Sequence, residues 1–237
     1  MKLLDLTLES PAANLALDEA LLDEAENSPA GAEWLRLWEP GEQMVVLGRA
    51  SRADRELNLE RCQQEQVPVL RRCSGGAAIV TGPGCLMYSL VLGLRERPQL
   101  RIPDEARRFV LQQVAGALEP IGPGIAHQGT SDLAIAGHKF SGNSLRCKRN
   151  HILYHGTLLY DFPLQQISRF LRMPPRQPDY RLERDHHDFL TNLDAGADQL
   201  RQLLVEQWQP TEACGDWPQE RTGQLVASRY CQSGWNS

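Results

Sequence analysis

The chain has 237 residues, of which 41% are hydrophobic and 23% charged, and it is long enough for a single domain with a sizeable buried core. Its formal net charge of −5 and pI of about 5.7 argue against a protein that mainly binds nucleic acid, which needs a basic face. It has neither the roughly 20 apolar residues of a membrane span nor the apolar run of a signal peptide, so we expect a cytoplasmic location and no membrane partner.

The first third of the chain predicts strands around one long helix. Residues 1–8 alternate in polarity like an edge strand. Ser10 is a typical helix cap, Pro11 fits the first turn, and apolar residues then recur at helical spacing, with Asn14 and Asp18 four residues apart. A polar helix is predicted over residues 52–66. Further strands are predicted over residues 34–39, 44–48 and 67–72, with a Pro-Gly turn between the first two.

The middle of the chain is rich in predicted strands, and residues 131–146 contain a hairpin signal. There Leu133 and Ile135 alternate, a tight turn falls near Ala136 to His138, and Phe140 resumes the alternation. In an extended second arm, Lys139 and Ser141 share the face opposite Phe140. Around the hairpin, strands are predicted over 77–80, 86–94 and 151–162, and a helix over 104–121.

The last third predicts helices over residues 163–171 and 195–208, a loop-rich stretch over 174–189, and irregular structure from Gln209 to Ser237. Loops are short and no linker is visible. We therefore expect residues 1–237 to form a single α+β domain, in which one mixed β-sheet is flanked by helices.

Six cysteines are present, and none has the spacing of a zinc site, so we predict reduced thiols and no metal site. Cys147 lies among Arg146, Lys148 and Arg149. Positive neighbours lower a thiol's pKa and favour the nucleophilic thiolate, so Cys147 is the candidate nucleophile of the six. The alternative is an exposed cysteine without a role.

Residues 71–76, Arg-Arg-Cys-Ser-Gly-Gly, combine two arginines with a glycine pair. Glycine lets backbone N–H groups approach an anion closely, and arginine holds a phosphate or carboxylate with two donors. Because the arginines alternate across a strand, only one of them readily faces a common pocket. The other interpretation is a solvent-exposed turn flanked by charge.

Lys139 is the second candidate for binding an anion. Its surroundings lack the Walker phosphate-loop spacing, yet a strand lysine beside Ser141 and Gly142 can supply a positive charge to a phosphate or carboxylate. The alternative is a solvated lysine. His155 precedes Gly156 and Thr157, and a single histidine at a strand edge is more often a packing residue than a catalyst.

Taken in order, these segments resemble the lipoate–protein ligase family, within the wider group of biotin and lipoate ligases and octanoyltransferases. The segments that match the family are residues 14–22, 45–49, 71–89, 131–146, 155–159, 191–193 and 229–236. The resemblance implies a class II synthetase-like catalytic domain. It also implies a two-step reaction, in which ATP (with Mg²⁺) activates lipoate or octanoate to an acyl-AMP, and a lysine of a lipoyl carrier domain then receives the acyl group.

The resemblance also implies roles for particular residues. Lys139 would act on the acyl carbonyl and the phosphate together, and the acyl chain would lie against Val69, Ile79 and Leu86. The residues expected to bind the substrate or lipoyl-AMP are Arg72, Ser74, Gly75, Gly76, Ala77, Ser141, Gly142, His155, Gly156 and Thr157. The expected carrier is the E2 component of a 2-oxoacid dehydrogenase or a glycine cleavage H-type protein.

The sequence departs from the family pattern in three ways. Ala77 replaces the third glycine of the loop, and Cys85 replaces an asparagine common in the ligases. We also expect no sizeable C-terminal accessory domain, so that a separate accessory subunit supplies it, the catalytic domain suffices alone, or the chain makes no adenylate. One alternative is an ATP-independent octanoyl or lipoyl transferase that uses a cysteine thioester, with Cys147 as the candidate. Another is a non-catalytic binder of lipoate or of lipoyl domains.

Overall fold

The computed structural model describes residues 1–28, 31–174 and 176–236. The strands are β1 (Lys2–Asp5), β2 (Trp34–Trp38), β3 (Met44–Leu47), β4 (Val69–Arg71), β5 (Ile79–Thr81), β6 (Cys85–Gly93), β7 (Ala126–Gln128), β8 (Asp132–Ile135), β9 (His138–Cys147), β10 (His151–Leu159) and β11 (Glu212–Ala213). The helices are α1 (Pro11–Asn27), α2 (Ala53–Glu56), α3 (Leu59–Gln64), α4 (Pro103–Leu118), α5 (Gln165–Phe170), α6 (His186–Phe189), α7 (Ala197–Trp208), α8 (Gln219–Leu225) and α9 (Ser233–Asn236).

The strands of the described residues form two sheets. The larger sheet has the order β11-β1-β2-β6-β10-β9-β8-β7, and the smaller has the order β4-β3-β5. Both are mixed, because β1 runs parallel to β2 and β3 runs parallel to β4 while the remaining pairs of the central strands are antiparallel. The expected mixed sheet flanked by helices is therefore confirmed.

The expectation of one sheet is wrong for β3, β4 and β5, which leave the larger sheet. The reason lies in β2, which pairs with β1 on one side and with β6 on the other. Since β2 has no free edge, the chain after the Pro40–Gly41 turn cannot add β3 beside it. β3 is fully buried and serves as the central strand of the smaller sheet instead.

Alternating side chains of β6 face two different layers. Leu86, Tyr88 and Leu90 belong to the core that includes Val110 of α4 and Leu200 of α7. Cys85 and Met87 point the other way, into the core that α1 and the smaller sheet share. This two-residue period places α4 and α7 on one face of the larger sheet and α1 with the smaller sheet on the other.

Helix α1 begins where the sequence predicts. The Ser10 side chain accepts a hydrogen bond from the backbone N–H of Ala13 at 3.4 Å, and Pro11 occupies the first turn. Asn14 and Asp18 are buried on one face of this helix, where both accept hydrogen bonds from the guanidinium of Arg36 in β2. The helix is thus fixed to the larger sheet by a buried polar contact.

The predicted hairpin is confirmed as β8 and β9. Ile135 pairs with His138, and Ala136 and Gly137 form the two-residue turn with φ values of 49° and 78°. The register shifts between Leu133 and Ala134, so that Leu133 pairs with Ser141 and Ala134 with Lys139. This β-bulge changes the direction in which the lysine leaves the sheet.

Two other predictions need correction. The helix predicted over residues 52–66 is split into α2 and α3, because Leu57 is extended and forms a β-bridge with Leu171. The segment from Gln209 is not irregular, since it contains β11, α8 and α9, and its aromatic Tyr230 is fully buried. Among the described residues, no helix is both long and apolar enough to cross a bilayer.

Candidate active site

Two adjoining cavities meet at Lys139. The larger has a volume of about 330 Å³ and extends from Lys139 to Asp18 and Leu15 of α1. The smaller, of about 120 Å³, is mostly apolar and extends towards Ile167 and Leu190. Residues that line both cavities are Ala77, Ala78, Ile79, Lys139, Gly142, Thr157, Pro174, Arg181 and Phe189.

The Lys139 side chain is 25% exposed and forms an ion pair with Asp132, at 2.7 Å between Nζ and Oδ1. The other carboxylate oxygen of Asp132 accepts a hydrogen bond from the Tyr180 hydroxyl at 2.9 Å. Gly142 leaves room for the lysine, because a Cβ atom at that position would lie 3.0 Å from Nζ. The ammonium is therefore held at a defined point between the two cavities.

The glycine loop, residues 73–78, borders both cavities. Gly76 has φ +89°, and a Cβ atom there would lie 2.8 Å from Nη2 of Arg72, so both backbone shape and space require glycine. Gly75, Gly76 and Ala77 are exposed, and within the described chain their backbone N–H groups have no hydrogen-bond acceptor. These donors are available to an anion.

Arg72 stabilises the conformation of the glycine loop by hydrogen bonds to its carbonyls. Its Nη2 donates to the carbonyls of Gly75 at 2.5 Å and Ala77 at 3.0 Å, and burial lowers the pKa of Arg72 to about 10. Its buried Nε has no partner in the described part of the chain. The guanidinium thus shapes the loop and retains one donor beside the larger cavity.

Arg71 points away from both cavities. Its Nη1 donates to the carbonyls of Gly48 at 2.7 Å and Ser51 at 2.8 Å, and its Nε donates to the carbonyl of Trp235 at 2.6 Å. The expectation that only one of the two arginines faces the pocket is therefore confirmed. Arg71 instead fixes the strand before the loop to the C-terminal segment.

A chain of hydrogen bonds joins the glycine loop to helix α1. Ser74 Oγ lies 2.6 Å from Nε2 of His155, and Nδ1 of His155 lies 3.1 Å from Oδ2 of Asp18. Burial alone would raise the pKa of Asp18, but Arg36 and His155 together outweigh it and hold that pKa below its ordinary value. Asp18 is thus a carboxylate, so Nδ1 of His155 is the donor in the contact between them.

The sequence of the chain matches the model of a known family. A model of the lipoyl protein ligase A/B catalytic domain matches residues 10–211. The chain belongs to this family.

Individual relatives agree with the family assignment. The chain is 32% identical to a putative lipoate-protein ligase A of Aeropyrum pernix over 162 residues, which are 68% of this chain and 58% of the relative. A bi-partite lipoate protein ligase from Thermoplasma acidophilum has the same fold, with a TM-score of 0.84 and 20% identity over 99% of this chain and 95% of that one. So does a lipoate-protein ligase A bound with ATP, with a TM-score of 0.80 and 20% identity over 99% and 97%. The chain spans between 46% and 58% of the length of the curated relatives it matches.

The structure brings most of the predicted lipoate ligase residues to the two cavities. Those that line the larger cavity are Arg72, Gly76, Ala77, Lys139, Gly142, His155, Gly156 and Thr157. Ser141 lines only the smaller cavity. Ser74 and Gly75 line neither cavity. Their contacts are within the protein: Ser74 contacts His155, and the Gly75 carbonyl accepts hydrogen bonds from Arg72 and Ser144. Their roles towards a ligand stay predictions.

Two of the three expected acyl-chain contacts are wrong. Ile79 lines both cavities, but Leu86 points to the opposite core, beside α4, and Val69 borders a separate depression near α3. The two-residue period of β6 explains the difference, since Met87 rather than Leu86 reaches the larger cavity.

The prediction that basic neighbours lower the pKa of the Cys147 thiol is also wrong. This residue lies at the end of β9 and lines neither cavity. Desolvation raises the pKa of its thiol, and Arg107 lowers that pKa by less. Lys148, the neighbour expected to stabilise a thiolate, is ion-paired with Asp23. Neighbours in sequence therefore do not set the charge around this thiol.

Sequence reasoning missed Asp132, Tyr180 and the His155 contact with Asp18. The signal for Asp132 was present, because a hairpin that turns at Ala136–Gly137 brings residue 132 close to Lys139. No local signal pointed to Tyr180 or to the Asp18–His155 contact, which joins residues 137 positions apart.

Proposed function

We propose that this chain is an ATP-dependent lipoate–protein ligase, which converts lipoate or octanoate to an acyl-AMP and transfers the acyl group to a lysine of a lipoyl carrier domain. The observation that supports this most strongly is the position of Lys139 Nζ, where the two cavities meet beside the exposed N–H groups of the glycine loop. Family membership and the relatives named as lipoate-protein ligases support the same reaction class.

Adenylation requires a carboxylate to approach the α-phosphate of ATP, and these two anions repel each other. A fixed ammonium stabilises both, most effectively where water is partly excluded. Lys139 meets this requirement, and the N–H groups of Gly76 and Ala77, which line the larger cavity, add neutral donors on the adjoining loop. In the first step, the carboxylate oxygen attacks the α-phosphorus and pyrophosphate leaves.

The acyl chain is assigned to the larger cavity. Leu15, Val46, Ile79 and Met87 provide apolar lining there. Strand β10 places Thr157 beside Lys139 and His155 about 7 Å further along the same face, which gives an extended chain room to lie away from the ammonium. Six buried methylenes of an octanoyl chain contribute about 5 kcal/mol at about 0.8 kcal/mol each.

The nucleotide is assigned to the side of Lys139 that opens to the smaller cavity. This apolar space of about 120 Å³, lined by Val80, Phe140 and Leu171, suits a flat aromatic base. Mg²⁺ would enter with ATP and be held mainly by phosphate oxygens and water, as is usual for this ion. Within the described residues, no group of three or more His, Cys, Asp or Glu side chains is placed to hold a metal by itself.

The proposed carrier is a lipoyl domain, of an E2 component or of a glycine cleavage H-type protein. Support comes from the Thermoplasma acidophilum structure, whose ligase was studied with its E2 lipoyl domain and is described as bi-partite. By analogy with that bi-partite ligase, we propose that an accessory polypeptide takes part in the reaction of this chain.

The test is to incubate the purified chain and its accessory polypeptide with ATP, Mg²⁺ and lipoate or octanoate, and to measure pyrophosphate and acyl-AMP, with and without a lipoyl domain. We expect acyl-AMP and a carrier that gains one acyl group. ATP-independent transfer from an acyl thioester, or lipoate binding without any turnover, would contradict the proposal.

Cys147→Ser separates the ligase from a thioester transferase. Because Cys147 lines neither cavity, we expect the variant to keep wild-type rates of acyl-AMP formation and carrier acylation. Cys231→Ser, at the other exposed cysteine, is the matched control. Loss of acyl transfer in the Cys147 variant alone would contradict this assignment.

A further inference from the structure

Asp132 differs from the other carboxylates that line the two cavities, which in the described chain are Asp18 and Glu56. Asp18 is paired with Arg36 and His155, and Glu56 accepts the backbone N–H of Ala78 at 2.7 Å. Asp132 is paired with Lys139, the residue that the proposed reaction places against the acyl phosphate. In the proposed reaction, Lys139 therefore leaves Asp132 when its ammonium contacts the acyl phosphate.

We propose that Asp132 is the group that receives the carrier lysine in the transfer step, an inference that rests on the proposed function. When the Lys139 ammonium turns to the acyl-AMP, Asp132, which is only 13% exposed, keeps the hydrogen bond from Tyr180 and loses its ion-pair partner. An unpaired charge at low exposure is costly, so a second cation is attracted to it. The carrier supplies a chemically identical one, the ammonium at the end of a lysine side chain.

The position of Asp132 suits this exchange. Its Oδ1 lies 2.7 Å from Nζ of Lys139, so a second ammonium bound to the same oxygen lies within a few ångströms of the carbonyl that Lys139 polarises. In the transfer step the ammonium first loses one proton to water. Its nitrogen then bonds to the acyl carbon while the bond from that carbon to the phosphate oxygen breaks, and AMP leaves with the electron pair. The nitrogen's surplus proton passes to Asp132 and from there to water.

Tyr180 is the positioning residue for this carboxylate. Burial and the neighbouring Asp132 raise the pKa of Tyr180, so its hydroxyl remains a donor to Oδ2 at 2.9 Å. Its ring packs on Phe189 with 5.1 Å between centroids. Because this hydrogen bond does not involve Lys139, it holds the carboxylate in place while the two ammonium groups exchange.

The experiment compares two acceptors of the acyl group in the Asp132→Asn variant. Hydroxylamine is a neutral nucleophile at pH 7 and reports acyl-AMP formation as hydroxamate, whereas a lipoyl domain presents a charged lysine. We expect hydroxamate formation to stay near the wild-type rate and carrier acylation to fall about 10²-fold, the usual effect of removing a group that accepts a proton in a reaction. Hydroxamate formation also reports that the variant is folded.

Two further variants sharpen the result. Asp179→Asn removes an exposed carboxylate next to Tyr180 and should change neither rate. Tyr180→Phe should slow carrier acylation by less than Asp132→Asn does, with a raised KM for the carrier. A parallel loss of hydroxamate and acylated carrier in Asp132→Asn would overturn the inference, because it would assign Asp132 to adenylation. Wild-type rates for both products would overturn it as well. Absence of hydroxamate with the wild-type chain and its accessory polypeptide would instead overturn the proposed function.

Discussion

Replacing Lys139 with methionine tests the central element of the proposed mechanism. Methionine keeps most of the length and the apolar stem of lysine and removes only the charge. A unit charge about 4 Å from an anion contributes about 4 kcal/mol at an effective dielectric constant of about 20. At 1.36 kcal/mol for each factor of ten, the loss of this stabilisation in the transition state lowers the rate of acyl-AMP formation by about 10³-fold.

The chain offers a matched control for this substitution. It contains three lysines, and Lys148, like Lys139, lies in or next to β9 and pairs with an aspartate, with a side-chain exposure of 28% against 25%. Lys148→Met removes a comparable ion pair and leaves Asp23 paired with Arg221. Ion pairs of this exposure contribute at most about 1 kcal/mol, so Lys148→Met should lower Tm by no more than about 4 °C. Lys139→Met should lower Tm further, because Asp132 is only 13% exposed and loses its ion-pair partner.

The assay is pyrophosphate release with ATP and octanoate, measured alongside thermal unfolding of the same preparations. We expect Lys139→Met to lose activity at temperatures where it is still folded, and Lys148→Met to retain activity. Activity of Lys139→Met within threefold of wild type would refute the proposed role of the ammonium, and an equal loss in Lys148→Met would show that the effect is not specific to the cavities.

Two further predictions concern the surroundings of Lys139 and the fold. Gly142→Ala places a Cβ atom 3.0 Å from Nζ of Lys139, so we expect the displaced ammonium to lower acyl-AMP formation roughly tenfold. The control variant Gly116→Ala, in open space on α4, should keep full activity and raise Tm slightly. Equal activities of the two variants would refute this prediction. Asp18→Asn leaves Arg36 buried without its counter-ion and should lower stability by about 3–5 kcal/mol, unlike Asp5→Asn at an exposed ion pair. Because the pKa of Asp18 is lowered in the folded protein, its ionised carboxylate stabilises the fold above the unfolded pKa of about 3.9, and this stabilisation is lost as pH falls further. Urea titrations measure the difference in unfolding free energy between wild type and Asp18→Asn. A difference that does not shrink below pH 4 would contradict this prediction.

The sequence by itself determined the local elements and the family. Ser10 and Pro11 fix the start of α1, and the Ala136–Gly137 turn fixes the hairpin that presents Lys139. These features depend on caps, turns and periodicity within about ten residues, which is why they can be predicted without a structure. The ordered motifs along the chain were equally visible, and the match over residues 10–211 agrees with them.

Only the tertiary structure decided which side chains meet at the site. The exclusion of β3 from the larger sheet follows from β2 having both edges paired, and the β-bulge after Leu133 sets where Lys139 and Asp132 meet. The Ser74–His155 contact joins residues 81 positions apart, and the contact of Arg71 with the Trp235 carbonyl joins residues 164 positions apart. Such distant contacts depend on strand order and register, so they cannot be predicted from the sequence near each residue.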